Sequence, residues 1–165
     1  MTQMMHVAIG SDHRGIEVAQ AIEQQLRSEG HAPTLLGDTS GAPSDYPDIA
    51  WRVSQMIVEQ KAQRGVLICG TGIGMAIAAN KVAGIRAALA LDELSAQLSR
   101  SHNDANVLCL SADLLGPVLV KRIVDAWMRT SYDGGRHARR LAKIARIELG
   151  QDPKGQEPKN PDSKS

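Results

Sequence analysis

Short apolar runs alternate along this chain with longer stretches of helical period, and no other feature restricts the fold as much. The runs are "HVAIG" (6–10), "APTLL" (32–36), "GVLIC" (65–69), "AALAL" (87–91) and "NVLCL" (106–110). Each has the length of a strand and is almost continuously apolar, the pattern of a strand covered on both faces. Between them Val18, Ile22 and Leu26 recur at four-residue spacing, as do Ile49, Val53 and Ile57, then Leu119, Ile123 and Trp127. That spacing puts each trio on one side of a helix. Strand and helix in alternation make βαβ units, so a five-stranded parallel sheet, doubly wound and sandwiched between helices, is the expected fold.

Such a sheet binds its ligand outside the carboxyl ends of the strands, where the strand order reverses. Two polar loops follow strands: "GSDHRG" after the first and "CGTGIG" after the third. A third polar stretch, "SHNDAN", precedes the fifth strand. Its arrival at the same sheet edge within one chain is therefore not implied, and a neighbouring subunit could deliver it.

In "CGTGIG", Gly70, Gly72 and Gly74 alternate just before a helical segment expected over 75–81. Backbone N–H groups there are free to face an anion near a helix N-terminus. A Walker loop is excluded, because no Gly-Lys-Ser/Thr follows. The dinucleotide fingerprint fits poorly: Met75 or Ile77 stands where a small residue is required, and the loop follows the third strand. Asp92, about twenty residues on, is the one feature in its favour. Cys69 ends its strand beside these amides, where partial positive charge favours a thiolate able to take a proton from carbon. Cys109, inside a strand, reads as core. His102, followed by Asn103 and Asp104, is either a general acid or base or a solvated helix end. Asp12 and His13 are either site residues or a helix N-cap and its exposed neighbour.

Composition narrows the function classes. With 165 residues, a net charge of +1 and 2% aromatics without Phe, the chain lacks both the basic excess and the stacking platforms of a nucleic-acid binder. Two cysteines make no disulfide framework, and no leader or membrane-length apolar run is present, so a reducing cytoplasm is expected. One domain is expected over 1–149, with "GQDPKGQEPKNPDSKS" (150–165) as a disordered tail. Before it, "GGRHARRLAKIARIEL" reads as a turn entering a basic helix with Leu141, Ile144 and Ala145 on its apolar side. That helix has either its own sheet or a second subunit to pack on. Its Arg136, Arg139, Arg140, Lys143 and Arg146 make a solvated basic face, with a nucleic-acid surface as the alternative.

"GSDHRG", "SDYPDIA", "GVLICGTGIGMAIAANKVAGIRAAL", "AQLSRSHNDANVL" and "IVDAW…YDGGRHARR" resemble ribose-5-phosphate isomerase B and its sugar-phosphate isomerase relatives over roughly 5–148. The resemblance implies a Rossmann-like, flavodoxin-like α/β/α fold with an extra C-terminal helix. It implies aldose–ketose isomerisation of a small phosphosugar by a homodimer or homotetramer that shares its active site between subunits and needs no metal or other cofactor. Cys69 would be the base moving a proton between C1 and C2, with Thr71 and the amides of Gly70, Gly72, Ile73 and Gly74 on the enediolate oxygens. His102 and Asp12 would open the furanose ring. Tyr46 and Asn103 would contact substrate, while His13, Arg136 and Arg140 would hold phosphate. Some relatives carry Glu where Met75 stands; Met cannot act as a base, so the chain resembles the cysteine-type members. One departure bears on substrate: the family usually has a phosphate-binding arginine at the position aligned with Asp113, where acid in place of base would repel phosphate. The alternative to an enzyme is a regulatory module binding a phosphosugar or nucleotide in the same loop.

Overall fold

The computed structural model describes residues 3–37 and 39–155. Eleven elements follow in order: β1 (His6–Ser11), α1 (Ile16–Ser28), β2 (Ala32–Leu36), α2 (Tyr46–Val58), β3 (Arg64–Cys69), α3 (Ile73–Ala79), β4 (Ala87–Leu89), α4 (Glu93–Ser101), β5 (Val107–Ser111), α5 (Pro117–Arg129) and α6 (Arg136–Glu148). All strand pairs are parallel, in the order β2-β1-β3-β5-β4. The expected five-stranded doubly wound sheet is thus present. From β1 the chain crosses to β2 on one side, and from β3 it crosses to β4 and β5 on the other. The order therefore reverses between β1 and β3, whose carboxyl ends carry the "GSDHRG" and "CGTGIG" loops.

Strand parity sorts the core into two layers, because successive side chains leave a strand on opposite faces. Val7, Ile9, Val66, Ile68, Leu108 and Leu110 pack with Ala19, Ile22 and Leu26 of α1, Ala96 of α4, and Val120, Ile123 and Trp127 of α5. Ala8, Leu67, Cys69, Val107 and Cys109 face Ile49, Ala50 and Val53 of α2 and Met75 and Ala79 of α3. Fully burying Ile9, Ile22, Leu108 or Ile123 stabilises by roughly 1.5–3 kcal/mol each. Parity also aims Cys69 toward α2 and α3.

Element ends differ from the sequence expectation for identifiable reasons. β4 stops at Leu89, although the Ala90 N–H still reaches the Cys109 carbonyl at 3.2 Å, because Asp92 must already open α4. There Asp92 and Ser95 form a reciprocal capping box. The acidic residue that fitted a dinucleotide site is a helix cap. β5 begins at Val107, one residue late, and the Asn106 side chain before it accepts the Arg86 N–H and donates to the Gly84 carbonyl.

The chain divides into two compact units, Met1–Tyr132 and Asp133–Ser165. The second holds α6, entered through Gly134 and Gly135, both at positive φ. After α6, Arg146 Nε donates to the Asp152 carbonyl at 2.9 Å and Lys143 Nζ to the Pro153 carbonyl at 3.3 Å, so residues 152–153 return along the helix. The remainder of the expected tail, from 156 on, lies outside the described residues. Among the described residues no helix is long and apolar enough to cross a membrane.

Candidate active site

Cys69 closes β3 and is buried, 5% exposed, with its Sγ accepting the Gly72 N–H at 3.1 Å. That contact needs the chain to turn back within three residues, which Gly72 permits at φ 76 in the left-handed region. α3 then starts at Ile73, two residues earlier than expected, with the Ile73 N–H donated to Thr71 Oγ1 at 3.3 Å. Of the amides expected to form an open cradle, Gly72 and Ile73 are thus engaged inside the loop. Those of Gly74 and Met75 precede the first N–H that finds an intrahelical acceptor, Ala76 on Gly72 at 3.1 Å. Met75 itself is fully buried against the sheet.

The two cysteines differ in setting. Cys109 is wholly enclosed in mid-strand, and burial, followed by the nearby Cys69, pushes its thiol well up. It is a core residue, as expected. Cys69 has glycines, Thr71 and a donated N–H beside it.

Other elements close around this loop. Tyr46 begins α2 and lies over Gly74: a Cβ added to Gly74 would meet the ring at 2.7 Å. Asp12 follows β1, is 6% exposed, donates its N–H to the Ile68 carbonyl at 3.2 Å, and accepts the Arg14 N–H on Oδ1 at 2.9 Å. It does not cap α1, whose N-cap is Gly15. Instead it fixes the loop from within. His13 beside it is exposed.

Two residues that sequence reasoning did not place in the site, Ser111 and Arg14, complete the edge with Asp113, whose position the resemblance ties to phosphate. Ser111 ends β5 fully buried, donating from Oγ to the Gly70 carbonyl at 2.6 Å and accepting the Leu114 N–H at 2.9 Å. Arg14 reaches Asp113 Oδ2 with an Nη at 2.7 Å. Both side chains sit over Gly70, where an added Cβ would meet Asp113 Oδ2 at 2.8 Å and Arg14 Nε at 3.0 Å. The carboxylate, by hydrogen bond and charge, pushes the Arg14 guanidinium up, with a smaller contribution from Asp12. The charge of Asp113 is therefore paired with that of Arg14. The signal for this was an acid at Asp113 where the family carries a base, with the unplaced charge of Arg14 on the loop after β1.

His102 and Asn103 are not brought to this edge within the chain. α4 runs against the strands, so His102 at its C-terminus and Asn103 precede β5 and sit at the amino edge of the sheet. The register pairs Cys69 with Ser111 at the far end of β5 from Val107, a strand travel of about 13 Å. There Asp104, at φ 46, binds Arg86 and Arg100 at 2.9 Å each, and the Asn103 carbonyl accepts from Arg86 Nε at 3.0 Å.

In the second unit, Arg136 and Arg140 are exposed and one turn apart on α6, which has no acidic residue in its first turn. Cations at that end oppose the helix dipole, so an anion there would relieve them. Two members of the basic run, Lys143 and Arg146, are instead spent on carbonyls of their own chain. That favours a solvated helix over a nucleic-acid face.

Comparison with known proteins agrees with this geometry. A family described as Ribose/Galactose Isomerase matches residues 7–144. The chain is 43% identical to ribose-5-phosphate isomerase B of Escherichia coli, over 88% of this chain and 97% of that one. It is 42% identical to D-erythrulose-4-phosphate isomerase of Pectobacterium atrosepticum, over 88% of this chain and 96% of that one. Among solved structures, ribose-5-phosphate isomerase B of Mycoplasma genitalium with bound ribulose-5-phosphate superposes with a TM-score of 0.84 at 40% identity, covering 87% of this chain and 96% of that one. Sequence, sheet order and the loop at the reversal point together make this chain a member of the ribose/galactose isomerase family.

Proposed function

We propose that this chain interconverts the aldose and ketose forms of a small phosphorylated sugar through a cis-enediolate, with Cys69 as the base. One observation carries the reading: the Cys69 sulfur ends a strand at the point of order reversal, with the Gly72 N–H donated to it at 3.1 Å. The sulfur takes the proton from C2 of the open-chain aldose. The electron pair moves through the C1–C2 bond onto the carbonyl oxygen, the C2 hydroxyl gives its proton to that oxygen and becomes a carbonyl, and the carbon-bound proton returns from sulfur to C1. Oxidation at one carbon balances reduction at the next. Thr71 and the amides of Gly70, Gly72, Ile73 and Gly74 form the loop beside the oxygens on which negative charge develops, with the Gly72 and Ile73 N–H groups held by Cys69 Sγ and Thr71 Oγ1. Of these, Gly74 has the clearest freedom to donate.

Asp12 and His102 serve ring opening, Tyr46 and Asn103 contact substrate, and His13, Arg136 and Arg140 hold the phosphate. Because His102 and Asn103 lie at the opposite sheet edge from Cys69, they act from a second copy, in a homodimer or homotetramer with shared sites. Residues 1–149 work as one isomerase domain with 150–165 as an appendage. Free thiols at Cys69 and Cys109 suit a cytoplasmic setting. Relatives named for both ribose 5-phosphate and erythrulose 4-phosphate support the substrate class and leave the chain length to experiment.

The test is a coupled aldose–ketose assay on both sugars with Cys69→Ala. Removal of a proton-transfer base should lower kcat by roughly 10²–10⁴-fold while substrate binding, measured by calorimetry, changes little. A variant that keeps near-normal kcat sinks the assignment. Wild-type protein that binds phosphosugar without turning any over makes the site a regulatory module instead.

A further inference from the structure

From the Arg14–Asp113 pair over Gly70 we infer that Arg14 is an anion-binding and specificity-determining residue of the site, with Asp113 as the residue that positions it. The inference rests on the reading of the Cys69 loop as the place where a phosphosugar reacts, and it names a contact that reading lacks.

Placement comes first. The pair joins the loop after β1 to the loop after β5, and its side chains lie against Gly70, the residue following the proposed base. Its foundation is rigid. The Ala112 and Asp113 N–H groups donate to the Cys69 and Gly70 carbonyls at 2.9 and 3.0 Å, and Ser111 Oγ reaches the same Gly70 carbonyl at 2.6 Å. On the other side, Asp12 Oδ1 holds the Arg14 N–H at 2.9 Å. Both loops are therefore tied to the ends of β3 and β1 before any ligand arrives.

Chemistry follows. An exposed ion pair contributes little to stability, and Arg14 and Asp113 are 55% and 40% exposed, so folding alone gives no reason for this pair at this spot. A bare carboxylate in a site for a phosphosugar would repel the phosphate. Paired, Asp113 loses that repulsion and aims a guanidinium whose five donors form a planar fork. The contact to Asp113 uses one Nη. The remaining donors suit the oxygens of a phosphate, which a lysine in the same place would meet only as a point charge. A guanidinium is thus supplied to this edge from the β1 loop.

The probe is inorganic phosphate, titrated calorimetrically into the full-length chain, with circular dichroism confirming the fold of each variant. Arg14→Ala should weaken phosphate binding about tenfold or more, and Arg14→Lys by a smaller factor, as charge is kept and the fork is lost. The transposed pair, Arg14→Asp with Asp113→Arg, returns one guanidinium to the same spot and should bind within about threefold of wild type. Unchanged affinity in Arg14→Ala overturns the inference. So does a transposed pair as weak as Arg14→Ala, or wild-type protein that binds no phosphate at millimolar concentration. Phosphate binding needs no turnover, so the two readings fail separately: active Cys69→Ala protein removes the base, whereas phosphate affinity indifferent to Arg14 removes only this contact.

Discussion

At Gly74 the Tyr46 ring occupies the space of a side chain, and at Gly72 the backbone itself requires glycine. An alanine methyl at 74 would press the far end of the half-exposed Tyr46 ring at 2.7 Å, which can swing outward. Gly74→Ala should therefore keep or slightly raise the melting temperature, since alanine favours a helix, while kcat/KM falls as Tyr46 leaves the loop. At Gly72, φ is 76 and an added Cβ would meet the Leu110 backbone at 3.0 Å. Gly72→Ala should destabilise by at least about 1–2 kcal/mol in urea unfolding. Equal melting temperatures for the two variants would contradict this division. Both glycines were visible in the sequence as members of one loop. Their different constraints were not, because one depends on a side chain from α2 and the other on the end of β5.

At the scale of elements, α5 shows how a helix end is closed from a distant strand. Arg64, first residue of β3, donates to the carbonyls of Trp127 at 2.8 Å, Met128 at 3.1 Å and Thr130 at 3.5 Å, and its guanidinium lies 5.0 Å from the Trp127 ring centre. Burial lowers the guanidinium to about 10, with repulsion from Arg100 second. Folding therefore disfavours its charge, and the carbonyl contacts offset that only in part. Arg64→Ala should lose about 1.5–3 kcal/mol of unfolding free energy, the range for hydrogen bonds to a charged group. Arg64→Met, which refills the space without a buried charge, should lose clearly less. A Met variant as unstable as the Ala variant would contradict this account. The helix α5 was legible from Leu119, Ile123 and Trp127, since a stripe depends only on local spacing. Its terminal cap was not, because the donor lies 63 residues away.

For the whole molecule, strand direction has a consequence for assembly. Cys69 sits at the carboxyl edge of the sheet and His102 at the amino edge, so a site using both draws them from two copies. Mixing Cys69→Ala and His102→Ala proteins after subunit exchange should give hybrid dimers with one intact site of two, and about a quarter of wild-type activity for random pairing. Each variant alone should be nearly inactive. Verified exchange with no recovery would place the entire site within one chain.

Five strands, the helices between them and the two polar loops at the sheet's carboxyl edge can all be read from the chain alone. Each of these is written in the spacing of neighbouring residues. Its family motifs likewise sufficed for the class of chemistry. That β1 lies against β3, that the Gly72 amide turns back to the Cys69 sulfur, and that Arg14 meets Asp113 across 99 positions of chain emerge from the packed fold and not from local spacing. Periodicity is a local property of a polymer. The pairing of distant charges is settled only when the packed sheet brings their loops to one edge.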